Sequence, residues 1–445
     1  MARDAIGMVM VACLRIGRPE MSTARFTPFV IGVAACVAAS ANPAVAQTPN
    51  VVIQWNRIAQ TLFTPAPSPS FRSMPMLHIA MFDAINSIED VYTPYRIRVK
   101  SSHGASAEAA AAQAARDVLA VLYPQQQATF DSALASQLAS IPAGMAGQGR
   151  EIGRRAALAV LEWRTGDGWP TAISPDPTYV LPPFPGLWQP TPPANSFATF
   201  TFFPAVTPFA LLTSAQFLPP VPPTLTSARY AHDFNETKLL GSATSAARTA
   251  EETLMAQLFA SVNATIGFQH VWNIVAGTVA QQEGLTLLDT ARLFVLVNVG
   301  LHDGLQTSFT SKFVYGLWRP LTAIRRADED LNPDTAADPA WTPLLTTPPY
   351  PTYAGNAACL SATAARALQL AIGRDDVPFS ITWPRTMGLP PETRHFTGFW
   401  QLADQQARSR IHGGIHFQFD SDASQTACVE VAEFVEAHYM VRQKR

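Results

Sequence analysis

Fifteen of the chain's 37 prolines fall between Pro170 and Pro223. Proline removes a backbone donor and clashes with the preceding helical turn, so this stretch cannot be helical. On both sides of it the sequence is written in helical periods. Val51 to Phe63 places Val52, Trp55, Ile58, Ala59 and Leu62 on one face. Ser73 to Ile88 does the same with Met76, Ile79, Ala80, Met81, Ala84 and Ile85. Ala105 to Leu122 is a run of strong helix formers opened by Ser106 and Glu108. Gln126–Leu138 and Gly149–Trp163 follow the same pattern. Beyond the prolines, helices are predicted at about Ser245–Val262, Leu285–Thr310, Ala357–Ile372, Thr393–Arg410 and Thr426–Val441. No sustained β alternation and no fixed repeat is present. The expectation is all-α: one large helical-bundle domain of ten or more helices over residues 47–445, with a Pro-rich extended segment at 168–225. The many aromatics in that segment argue against free disorder. It is either an extended wrap over the helices or a lid that shapes an entrance.

Composition narrows the function. Charged residues make up 14% of the chain, against about 25% in ordinary soluble domains, and the net charge is -2. Nothing here suits bulk binding to nucleic acid or an acidic membrane. The Leu293–Val297 run is strongly apolar, but Asp289 and Arg292 interrupt its pattern. It reads as a buried central helix, and no integral membrane span is expected. Residues 1–46 read as a signal peptide: Arg25, an apolar stretch from Phe26 to Ala39, then Ala44-Val45-Ala46 as the small-x-small cleavage pattern. Translation from Met21 would give the more regular signal, and a lipoprotein site at Cys36 is the rival. Export to the periplasm or the exterior is the expectation. It leaves Cys359 and Cys428, either bridged or, the favoured reading, two buried small hydrophobes. Phosphate-loop, His-Glu-x-x-His and Gly-x-Ser-x-Gly signatures are absent, and Gly147, Gly149 and Gly153 do not have dinucleotide spacing.

The chemistry concentrates in the C-terminal half. Lys312 is followed seven residues later by Arg319-Pro320, and Ser409-Arg410 is followed by His412 and His416. Singly, each cation reads as half of a structural ion pair. Together, in apolar surroundings, they ask for one anion with several charged oxygens. That requirement belongs to phosphoryl transfer or to a phosphate-like metal oxyanion.

These residues and spacings resemble the first and third motifs of the vanadium-dependent haloperoxidase and type-2 phosphatidic acid phosphatase superfamily. The run His78–Asn86 and the run Asp338–Leu344 extend the likeness over nearly all of the chain after residue 46, toward the bacterial haloperoxidase branch. The resemblance implies a helical-bundle fold in which Lys312, Arg319 and Arg410 bind the oxyanion. It implies vanadate as cofactor, with phosphate able to occupy the same site. His416 would be the vanadium ligand, or the nucleophile of a phosphatase. The implied small-molecule partners are hydrogen peroxide, halide and an organic acceptor, or else a phosphate ester, and a homodimer is compatible with it. Phe309 and Tyr350 stand near positions that tune halide choice in such enzymes.

The second motif departs from the pattern. Where the superfamily reads Pro-Ser-Gly-His, this chain has Ala354-Gly355-Asn356-Ala357. Gly355 and Asn356 are still expected to offer backbone N–H groups at a helix N-terminus. The general acid/base is lost, and such a group is worth about 10²–10⁴ in rate. His412, four residues before His416, is the candidate substitute, because on a helix the two would share a face. The same pair could instead hold a divalent metal. His302 beside Asp303 and His78 near Asp83 read as structural, and the role of His395 stays open.

Overall fold

The computed structural model describes residues 50–62, 69–100, 104–265, 267–383 and 391–444. The signal-peptide assignment, with Met21 and Cys36, lies outside them. Thirteen α-helices are present among the described residues: α1 (Val51–Gln60), α2 (Ser70–Glu89), α3 (Ala107–Leu122), α4 (Gln127–Leu138), α5 (Ala143–Trp163), α6 (Ala228–Leu240), α7 (Ala250–Thr265), α8 (Phe268–Gln282), α9 (Leu287–Tyr315), α10 (Pro320–Arg325), α11 (Asn356–Ile372), α12 (Phe399–His412) and α13 (Gln418–His438).

Helix α9 is the spine. Thr286 caps it by accepting the Asp289 N–H, and Gly316 ends it in the left-handed region at φ 59°. Leu293 to Lys312 is buried without interruption, because α9 packs against α2, α8, α11 and α13. Its Asp289 and Arg292 find partners in Tyr92 and Glu436. No helix among the described residues is long and apolar enough to cross a membrane. The alanine-rich pair α3 and α5 packs tightly: a Cβ at Gly149 or Gly153 would lie 2.3 Å from a backbone carbonyl oxygen of Ser106 or Ala110. Those glycines serve helix contact.

The Pro-rich segment is extended, with one 3-10 turn at Phe203–Ala205. It is a wrap tied to the body by hydrogen bonds. Trp188 N–H donates to Gly316 and Trp318 N–H to Gly186, and the Asp303 carboxylate accepts the N–H groups of Phe209, Ala210 and Leu211. Asp83 does the same for Tyr95, Arg96 and Ile97 after α2. His302 bonds to Asp303, and His78 bonds to Asn56 and stacks on Phe294.

Four expectations need correction. Helices resume at Ala228, not Ser245; the buried apolar residues of α6 are only Tyr230, Ala231 and Phe234, too thin a stripe to read. Helix α8 also escaped, between two predicted helices. A hairpin of β1 (Phe379–Trp383) and β2 (Glu392–Phe396) exists, so Thr393 starts no helix. Its inward residues are Phe379, Ile381 and Trp383, an alternation only five residues long. Finally, Cys359 and Cys428 form a disulfide between α11 and α13, not two separate buried thiols.

Candidate oxyanion site

Four chain segments meet at one end of α9. Its last turn supplies Lys312; Arg319 is the N-cap of α10; residues 352–355 lead into α11; and the last turn of α12 carries Arg410, after which a turn brings His416 to the start of α13. Lys312 is fully buried and donates to the carbonyls of Thr352 and Ala354, both at 2.6 Å. Arg319, also fully buried, donates from Nε to Tyr350 O at 2.7 Å and from Nη1 to Ile415 O at 2.8 Å. Its Nη2 has no hydrogen-bond partner, and neither has Nη1 of Arg410. None of the three cations forms an ion pair with a carboxylate among the described residues. Burial pulls the Arg319 and Arg410 guanidinium groups down to about 10. Burial, followed by Arg319, holds the Lys312 ammonium well below its ordinary value. Three buried positive groups with two sealed, unspent donors are an electrostatic debt that an anion would settle.

The histidine geometry fixes its own tautomer. Arg319 Nη1 lies 3.2 Å from His416 Nε2, and a guanidinium can only donate. Nε2 is therefore the lone-pair nitrogen, and the ring proton sits on Nδ1. That proton faces Asp420 Oδ2 at 2.9 Å and Thr352 Oγ1 at 3.1 Å. Thr352 in turn donates to the same Asp420 oxygen. Burial and then the positive charges of Arg319, Lys312 and Arg410 push the His416 imidazole well below its ordinary value. It is neutral, as a ligand or nucleophile must be. Burial raises the Asp420 carboxyl to about 6, so it stays largely ionised at neutral pH.

A cavity of about 60 Å³ opens onto this cluster, several times the roughly 10–15 Å³ that one water needs. Its polar lining is Arg410, His416, Tyr350 and Asn356. The rest is apolar and includes Phe71 from α2, Phe200 from the Pro-rich wrap, Phe309 and Ala357. The wrap therefore also supplies a wall.

The structure brings Lys312, Arg319, Arg410, Asn356 and His416 together, with Phe309 and Tyr350. It separates two expected residues from them. His412 is the last residue of α12, and the turn through Gly413 and Gly414 intervenes before His416, so the two do not share a helical face. Its Nε2 is turned to Glu252 at 3.4 Å, and it does not line the cavity. No metal-binding group of three His, Cys, Asp or Glu residues occurs among the described residues. Gly355 spends its N–H on Asp420 O at 3.0 Å, so it holds α13 in place of an anion. Sequence reasoning missed Asp420 and Thr352. Asp420 stands four residues after His416, the spacing of one helical turn, which was the available signal. Thr352 carried none.

A profile of the VCPO second helical-bundle domain matches residues 292–444. The vanadium chloroperoxidase of Curvularia inaequalis is 28% identical across 31% of this chain and 29% of its own length; the match thus spans under a third of that relative. A bacterial vanadium-dependent iodoperoxidase superimposes with a TM-score of 0.72 at 22% identity, covering 89% of this chain and 98% of that one. An apo-type bacterial vanadium-dependent chloroperoxidase gives 0.66 at 15% identity, covering 85% and 95%.

Proposed function

We propose that this chain, which is similar to vanadium haloperoxidases over its C-terminal helices and in its fold, has an exported, vanadate-binding haloperoxidase-like function centred on His416. Lys312, Arg319 and Arg410 hold the oxyanion, and His416 is its ligand through Nε2. The observation that carries this is the pair of sealed, unpartnered N–H groups on Arg319 and Arg410 beside a lone-pair nitrogen. With the neighbouring Lys312 ammonium they suit a tetrahedral oxyanion with several charged oxygens. Bound vanadate would supply the Lewis acidity that activates hydrogen peroxide toward halide. The chain's own contribution is positional: Asp420 and Thr352 hold the Nδ1 proton, and the phenyl rings keep bulk water from the cations. Export accords with the Cys359–Cys428 disulfide, a bond of oxidising compartments.

Ala357 favours a second reading, in which the clamp binds vanadate or phosphate without turning over substrate at the usual rate. As a phosphatase, His416 Nε2 would be the nucleophile. Calorimetry of vanadate and phosphate with the wild type and Arg410→Ala tests the site. The expected result is binding that drops at least a hundredfold in the variant. Peroxide-dependent halogenation by the vanadate-loaded protein then separates the readings: turnover favours the first, tight binding without turnover the second. No binding of either anion would sink both.

A further inference from the structure

Ala357 leaves the cavity without the imidazole that the second motif normally brings, so the question is which group can give a proton there. Four polar side chains line the cavity. Arg410 is a cation that stays charged, and Asn356 has no acidic proton. His416 turns its only proton to Asp420 and Thr352, away from the lone pair that meets Arg319. Tyr350 is left. Its hydroxyl oxygen accepts the Asn356 side-chain N–H at 3.2 Å, and the hydroxyl proton has no acceptor among the described residues.

The ring is also held in place. The Tyr350 carbonyl accepts Arg319 Nε at 2.7 Å, which ties the residue to the clamp. The ring centroid lies 4.9 Å from the Arg319 guanidinium carbon and 5.5 Å from Lys312 Nζ. Phe309 packs edge-on against it at 5.2 Å. Cations over the ring face leave the phenol little freedom to rotate away. Asn356 and Ala357 open α11 and share the same lining, so the Asn356 bond holds the hydroxyl at the end of the helix where the histidine would stand.

Resting on the oxyanion site proposed above, we infer that the Tyr350 hydroxyl substitutes for the missing histidine: it donates a hydrogen bond to the bound oxyanion and is the proton donor of this cavity. Tyr350 is then a residue that touches the ligand, in addition to any effect of its ring on halide choice.

The test is calorimetric binding of phosphate and of vanadate to four proteins: wild type, Tyr350→Phe, Asn356→Ala, and Tyr350→Phe combined with Ala357→His. Tyr350→Phe keeps the ring, the carbonyl bond to Arg319 and both cation contacts, so a purely structural role would leave affinity alone. A hydrogen bond to a charged partner accounts for roughly a tenfold to hundredfold loss, and that loss is expected for both anions with an unchanged apo melting temperature. Asn356→Ala, which removes the bond that holds the phenol at α11 but leaves its proton, is expected to cost part of that loss, about threefold to tenfold. Adding Ala357→His to Tyr350→Phe is expected to recover most of the lost affinity. Wild-type affinity in Tyr350→Phe would overturn the inference while leaving the oxyanion site standing. A wild type that binds neither anion would overturn the site itself, and this inference with it.

Discussion

Arg164 and Arg410 are both interior cations, 0% and 6% exposed, and they keep opposite company. Arg164 spends every arm. Its Nε meets Asp167 at 2.9 Å, Nη1 meets Pro208 O at 3.1 Å and Nη2 meets Thr207 O at 2.6 Å. Its guanidinium carbon lies 3.9 Å from the centre of the Phe209 ring, and Arg72 shares the carboxylate at 2.7 Å. Arg410 has no side-chain hydrogen bond among the described residues; it has a sealed Nη1 and the Phe268 ring at 5.8 Å. The difference separates a structural cation from a ligand-binding one. Burial alone does not mark a site, because both guanidinium groups are interior. An unspent donor beside two further cations does, since leaving it so costs about 1–3 kcal/mol or more until something arrives.

The largest effect would come from breaking the satisfied member. Arg164→Ala leaves Asp167 buried with Arg72 alone and frees two backbone carbonyls under the Pro-rich wrap. A loss of about 3–5 kcal/mol is expected, read by urea or thermal denaturation, with vanadate affinity of the folded fraction unchanged. Arg410→Met removes a charge that nothing neutralises. Its anion-free stability is expected to equal or exceed the wild type while anion binding disappears. Equal destabilisation by the two substitutions would end the distinction.

A smaller effect sharpens the same contrast. An anion that binds only the folded protein stabilises it by about 2.7 kcal/mol at a hundred times its dissociation constant. Phosphate or vanadate should therefore raise the melting temperature of the wild type and of Arg164→Ala, but not of Arg410→Met. An equal rise in all three would mean that the anion binds elsewhere.

Reading the sequence reached one side of this contrast and not the other. Lys312, Arg319, Arg410 and His416 were legible because fixed spacing carries them, and α9 was legible because its apolar run and the Lys312 motif lie on one continuous helix. Arg164 and Asp167 carry no signal in the sequence; their burial depends on the wrap, whose path no local period encodes. Asp420 was missed for a related reason: its one-turn spacing from His416 means something only once α13 is seen to begin between them. The disulfide joins residues 69 positions apart, a pairing that only the packing of α11 on α13 decides. The hairpin at Phe379–Trp383 was too short to stand out from a helical background.

His412 tests where the boundary between the two kinds of cation site falls, and its expected effect is the smallest. It sits two residues from Arg410 on α12, yet its Nε2 is turned to Glu252 and Arg248 donates to its carbonyl. Burial, then Arg408, holds its imidazole below the ordinary 6.5. The unfolded chain therefore takes up this proton before the folded one does. Its contribution to stability is intact above pH 6.5 and declines as the pH falls through that value. His412→Gln should remove that decline between pH 6.5 and 5, read by thermal denaturation across that range. At neutral pH both anion affinity and melting temperature should stay close to wild type. A tenfold loss of vanadate affinity would instead place His412 with Arg410 on the ligand side, because a structural histidine facing Glu252 has no means of reaching the anion.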